Sequence, residues 1–212
     1  MSRRVVVALL GPVTWSPPGI DPARWRTALA EDVVDLLATL NEVETAVAVT
    51  APDRWLADDV VWPGTRVYEV SAPTPNAVFA ALAAGNQAAR QDEAVGYDQV
   101  AVVAADAPDV PGLTLGKLLR PLTTRPVAVA PVEGGGAGLL GVAARLPAPA
   151  WLPELDLDTT EPAEVRRSAP SPGDVAVTAG WRRMRGPADL AALDPAVEGW
   201  EATRALLSGR PV

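Results

Sequence analysis

The chain has 212 residues, a formal net charge of −8 and 49% apolar residues, the balance of a globular chain rather than a disordered one. It contains no cysteine and no histidine, which excludes disulfides, thiolate nucleophiles, imidazole bases and the usual zinc sites. The excess of 26 acids over 18 bases argues against binding nucleic acid through the overall field, and no apolar run approaches the roughly 18 to 20 residues that cross a bilayer.

Any catalysis must therefore rest on carboxylates, hydroxyls, arginines, backbone amides or a bound hard metal ion. Lys117 is the only lysine. The opening "MSRRVVVALLGPVTW" places an apolar run after two arginines, but Gly11 and Pro12 end it sooner than they would end a signal-peptide core. It is read as a first strand, 4–10, and a cytoplasmic protein is the expectation. "DPARWRTALAEDVVDLLATL" then has Asp21 as N-cap and Pro22 at the first helical position, with Trp25, Leu29, Val33, Leu36 and Leu40 at helical spacing.

Strands are predicted at 45–51 and 66–72. Thr74 and Pro75 open a second helix in which Val78, Leu82, Gly85 and Ala89 share a face. A buried strand at 99–105, a short helix in "TLGKLLRPL" and strands at 126–132 and in "GLLGVAARL" follow. From 147 to 173 proline and charge replace the pattern; this stretch is read as an insertion or lid with one helix near 162–168. "DVAVT", 174–178, is a late strand, and closing helices follow, the second starting at Asp194 and Pro195. Near-continuous apolar strands alternating with helices predict one α/β domain over 1–212, a three-layer α/β/α fold with a mostly parallel, mixed sheet. Such sheets bind ligands beyond the carboxyl ends of their strands, and three unusual loops follow predicted strands, at Gly11, at Asp106 and at Glu133 to Gly138.

Each loop admits two readings. Asp106 closes the strand "QVAVVAA" and either presents a carboxylate to Mg2+ or Mn2+ or accepts hydrogen bonds from its own turn. Asp109 is a turn or helix-flank residue. Gly134, Gly135 and Gly136 either let a backbone approach a sugar or phosphate or make a hairpin connection. Gly11 stands where nucleotide-binding folds put a phosphate loop, yet matches neither the dinucleotide nor the P-loop pattern. Asn76 either bonds a base or sugar or is solvated. The arginines of "WRRMRG", 181–186, are a phosphate site or a solvated run, and the tryptophans are packing residues.

In series, the N-terminal strand and loop, "TPNAVFAALAAG", "AADAPDVPG" and "VAVAPVEGGGAGLLGV" resemble the nucleotidyltransferase-like glycosyltransferase-A superfamily. The likeness is strongest over 74–144 and closest to a bacterial glycosyltransferase-like group and to the 2-phospholactate and molybdenum-cofactor guanylyltransferases. The resemblance implies a nucleotide-diphospho-sugar transferase-like fold and, for Asp106, a metal-binding catalytic role. It also implies a nucleotide loop at Leu10, Gly11 and Pro12; Asn76, read from its own place at the start of the second helix, is the further nucleotide-binding candidate. The acceptor or nucleotide side would be shaped by Pro131, Glu133, Gly134, Gly135 and Gly136. The implied partners are an NTP or nucleotide-sugar and a small acceptor, with Mg2+ or Mn2+.

Two departures stand against catalysis. The family's first loop carries a lysine and an arginine for the triphosphate; here the loop has no lysine, leaving Arg24 or Arg26 to substitute, and a guanidinium fork does not replace an ammonium without consequence. The family's closing aspartate motif aligns with "RMRGPADL", where basic residues stand; "LDLDTTEPAEV", with Asp156 and Asp158, is the alternative match. The expectations are thus a metal-dependent transferase or a catalytically degenerate binding protein of the same fold.

Overall fold

The computed structural model describes residues 2–91, 96–134 and 137–209. Seven strands, β1 Arg4–Leu9, β2 Glu44–Thr50, β3 Arg66–Val70, β4 Gln99–Ala104, β5 Val127–Pro131, β6 Leu139–Arg145 and β7 Val175–Val177, form one sheet in the order β3-β2-β1-β4-β6-β5-β7. β6 runs antiparallel to β4 and β5; every other pairing is parallel. Valine and alanine fill the central strands because both faces are covered, so successive residues of β1 and β4 are buried without alternation.

One face packs against α1 (Pro22–Ala38), α2 (Arg54–Val60) and α4 (Gly112–Leu119) through Val33, Leu37, Leu56 and Leu118. The other packs against α3 (Pro75–Gln91) through Val78, Phe79 and Leu82, and against α5 (Pro162–Ser168) through Val165. The three-layer α/β/α fold with a mixed sheet is the one the strand pattern predicts. Asp21 caps α1, accepting the Arg24 N–H at 3.0 Å, as its sequence chemistry requires.

Four expectations are corrected. The segment after β6 is no lid: Leu155, Leu157 and Val165 are fully or nearly fully buried in the second core layer. The helix α2 went unpredicted, because Pro52 and three buried positions in seven residues give too short a period to read. Gly85 of α3 is exposed rather than on the buried face, and the Ala89 side chain lies outside those described. Asp194 and Pro195 do not start the last helix; α6 (Pro187–Ala191) and α7 (Glu201–Leu207) leave them in the connection.

A third, smaller core joins the ends of the chain. Trp25 and Leu29 of α1 meet Met184, Leu193 and Trp200, with Val13 and Trp15 of the first loop packed against them. Trp15 stands edge-on to Trp25, ring centroids 6.0 Å apart. Beside this core, Asp32 of α1 is 2% exposed and accepts the N–H groups of Ala202 and Thr203, each at 2.9 Å, at the start of α7. Burial pushes the Asp32 carboxyl up to about 6 despite these bonds. Because its folded value lies above its unfolded one, the folded state holds the extra proton, and the Asp32 contribution to stability falls as pH rises toward 6. Urea unfolding of the wild type and Asp32→Asn should show the wild type losing about 1 kcal/mol relative to the variant between about pH 5 and about pH 7; a constant difference would refute the assignment.

Candidate functional site

At the carboxyl ends of β1 and β4 lies a cleft of about 300 Å3, the position in which open α/β sheets hold ligands. Leu9 to Val13 form one wall and Ala104 to Asp106 the floor; Pro73 and Thr74 precede α3 on a second side, and Asp156 to Asp158 close a third. Leu10, Gly11, Pro12 and Asp106 are therefore brought together, as the strand order requires for loops after adjacent parallel strands.

Arg183 reaches Asp106 from the segment after β7. Its Nε and Nη2 donate to the two Asp106 oxygens at 2.6 and 2.9 Å, and its Nη1 donates to the Leu157 and Leu139 carbonyls at 2.7 and 3.2 Å. Its Nη2 also lies 2.8 Å from Asp158 Oδ1. Arg183 and Asp106 are each 5% exposed. Burial works against the Arg183 charge, but the Asp106 and Asp158 carboxylates outweigh it and raise its pKa. The fork-on-carboxylate geometry is the strong form of this contact.

Local backbone makes the contact possible. Met184 N–H donates to the Asp106 carbonyl at 2.8 Å, and the Met184 side chain enters the tryptophan core, so the residues on either side point into the cleft wall. Gly180 passes the end of β5 so closely that any Cβ there would collide with the Pro131 carbonyl. Gly138, at φ +105°, leaves room for Arg185, whose Nη2 lies 2.6 Å from where its Cβ would be. Arg185 donates to the Ala137 carbonyl at 2.6 Å and to Asp158 Oδ1 at 3.3 Å. Desolvation, with Arg183 adjacent, holds its pKa below the ordinary arginine value.

The other sequence-derived residues are placed as follows. Asn76 does not line the cleft: its side chain donates to the Pro153 carbonyl at 3.0 Å and accepts the Leu155 N–H at 2.8 Å, pinning the segment that carries Asp156 and Asp158. Pro131, Glu133 and Gly134 stand outside the cleft, and Glu133 N–H is bonded to the Trp181 carbonyl at 3.1 Å; Gly135 and Gly136 lie outside the described residues. Arg26, not Arg24, borders the cleft, but its guanidinium donates to the carbonyls of Gly11 and Leu10 at 3.0 Å each and pairs with Asp53 at 2.6 Å. That hydrogen bond from Arg26 holds the Asp53 carboxyl below its usual range. Asp109 lies in a turn, as its sequence reading has it, and is buried there: it accepts the Trp181 indole N–H at 3.0 Å and pairs with Arg182. The reading of "WRRMRG" as a solvated run is thereby overturned. Thr74, Leu56 and Leu157 are cleft residues that the sequence did not single out.

The donor set does not fit a divalent ion. Both Asp106 oxygens are taken by a guanidinium, and among the described residues no three acidic side chains are grouped to hold a metal. Hard cations need several oxygen ligands, and an ion placed on the remaining lone pairs of Asp106 would stand beside the positive charge of Arg183.

No protein-family profile and no curated protein sequence matches the chain. Solved structures do match in shape. A provisionally assigned nucleotide-diphospho-sugar transferase from Desulfovibrio desulfuricans G20 superposes with a TM-score of 0.60 at 16% identity, covering 100% of both chains. The 4-diphosphocytidyl-2C-methyl-D-erythritol synthase of Anaerococcus prevotii DSM 20548 gives 0.59 at 11% identity, covering 97% of this chain and 96% of that one. A Mycobacterium tuberculosis H37Rv protein in complex with manganese gives 0.54 at 14% identity, covering 92% and 98%. At these identities the comparison establishes architecture: the chain has the nucleotide-diphospho-sugar transferase-like fold.

Proposed function

We propose that the chain binds a nucleotide or nucleotide-sugar-type ligand in the cleft beside Asp106 and carries out no metal-assisted transfer, acting as a binding or partner protein. The observation that carries this reading is the buried pair between Arg183 and Asp106. In metal-assisted nucleotidyl or glycosyl transfer, a divalent ion neutralises the diphosphate that departs. Such electrostatic stabilisation is usually the largest contribution to rate. Here a guanidinium holds the carboxylate that would anchor the ion, the first loop has no lysine, and Arg26 is bonded to the loop's own carbonyls. The ligand class is taken from the fold's similarity to nucleotide-diphospho-sugar transferases.

One observation favours the rival reading, a transferase acting on a small acceptor with Mg2+ or Mn2+: Asp106, Asp156 and Asp158 all line the same cleft. That reading sets a divalent cation against the positive charge of Arg183 or displaces a buried guanidinium from its partner, and either opposes it. The two readings separate in one assay. Incubation with NTPs and nucleotide-sugars plus Mg2+ or Mn2+ should release no pyrophosphate or nucleoside diphosphate above background, and Mn2+ alone should leave the melting temperature unchanged. Metal-dependent turnover that disappears in Asp106→Asn would replace this proposal with the transferase. The pair itself predicts that Arg183→Ala loses about 3–5 kcal/mol in urea unfolding, and that Asp106→Leu combined with Arg183→Met loses clearly less than the two single changes added. Additive losses would mean that the two side chains do not act as a unit.

A further inference from the structure

We infer that the cleft reads its ligand through hydroxyl or amino groups of a phosphate-free, nucleoside-sized molecule, with Asp156 and Asp158 as the accepting side chains. This rests on the metal-free binding role proposed above, keeping the nucleoside part of its ligand and dropping the phosphates. The charge lining the cleft is the first observation: three carboxylates, Asp106, Asp156 and Asp158, face two guanidiniums, Arg26 and Arg183. Both cations are already paired with a carboxylate. Four N–H groups of Arg183 donate to Asp106, Leu139 and Leu157, and the nitrogen bearing the fifth lies against Asp158. Arg26 closes on Gly11, Leu10 and Asp53. The sole lysine, Lys117, is on the exposed face of α4, away from the cleft. A triphosphate placed here would meet the unpaired Asp156 carboxylate and only cations whose charge a carboxylate already balances, within a chain already carrying a net charge of −8.

The second observation is where hydrogen-bonding capacity is left over. Asp158 Oδ1 takes the arginine contacts and Asp156 Oδ1 accepts the Asp158 N–H at 2.6 Å, while the second oxygen of each carboxylate accepts no hydrogen bond among the described residues. Asp156 is exposed and Asp158 partly so, on a segment held rigidly by Asn76. The Thr74 hydroxyl accepts weakly from the Ala77 N–H at 3.3 Å and keeps its own proton to donate. The side chains of the wall thus offer several acceptors and one neutral donor, the complement of a sugar diol or an amine. Apolar Leu9, Leu10, Val13 and Leu56 cover the rest, a surface suited to the flat face of a base. At about 300 Å3 the cleft is at the small end of ligand pockets.

Calorimetric titration tests this with adenosine, guanosine, cytidine and uridine, their 2′-deoxy forms and their 5′-triphosphates, each with EDTA and with Mn2+. At least one nucleoside should bind at least tenfold more tightly than its own triphosphate, unaffected by Mn2+ and weakened by loss of the 2′-hydroxyl. Asp156→Asn, on an exposed side chain and checked for an unchanged melting temperature, should weaken that nucleoside roughly tenfold. A triphosphate that binds as tightly as its nucleoside in EDTA overturns this inference and leaves the metal-free binding role standing. A triphosphate that binds only with Mn2+ overturns both. Failure of every nucleoside and nucleotide to bind also overturns both.

Discussion

Arg183 and Asp106 close on each other across 77 positions of sequence, in a part of the molecule where neither charge is solvated. Two ions buried this way persist only when each satisfies the other's hydrogen bonds, and here a planar fork does so with both carboxylate oxygens and two backbone carbonyls. The consequence is geometric as well as energetic. The pair ties the end of β4, the start of β6 and the segment after β7 to one point, and the cleft wall is built around that point. A tethered cation stands where a mobile one would have to be recruited, so the floor of the cleft is already neutralised before any ligand arrives.

The rest of the site follows from that constraint. Met184 is inserted among Trp25, Leu29 and Trp200, which fixes the backbone from which Arg183 and Arg185 project to either side. Val13 and Trp15 join the same cluster, so the first loop is held by packing and by Arg26 rather than by contact with phosphate. Asn76 places the acidic segment opposite. Each of these residues positions another part of the cleft, in a site that uses three of the chain's arginines, Arg26, Arg183 and Arg185, internally.

Much of the architecture was legible in the sequence because buried parallel strands write themselves as short valine-rich runs, and Asp21 and Pro22 announce a helix start. Asp106 was legible for the same reason: a charge ending such a run stands at the edge where ligands bind. Its partner was not. "WRRMRG" has the composition of a solvated run, and no period marks its burial, since the segment is irregular and is buried by parts distant in sequence, among them Trp25 and Leu29 of α1 and Leu139 of β6. The one local hint is Met184, an apolar residue between arginines. Asn76 was recognised as unusual but its employer, the Pro153–Leu155 backbone, comes from a stretch whose prolines suggested a lid. α2 escaped because seven residues following Pro52 carry too little periodicity, and the Trp15–Trp25 contact because tryptophans ten residues apart in sequence reveal nothing of a shared core.

The fold is that of proteins whose names describe nucleotide and sugar transfer, while the centre of the cleft has different chemistry. A crystal structure determined after soaking in manganese, with anomalous data collected to locate the ion, bears on this most directly. The account predicts no anomalous peak at Asp106 and Arg183 unmoved on both of its oxygens. Manganese bound to Asp106, with the guanidinium swung away, would contradict it.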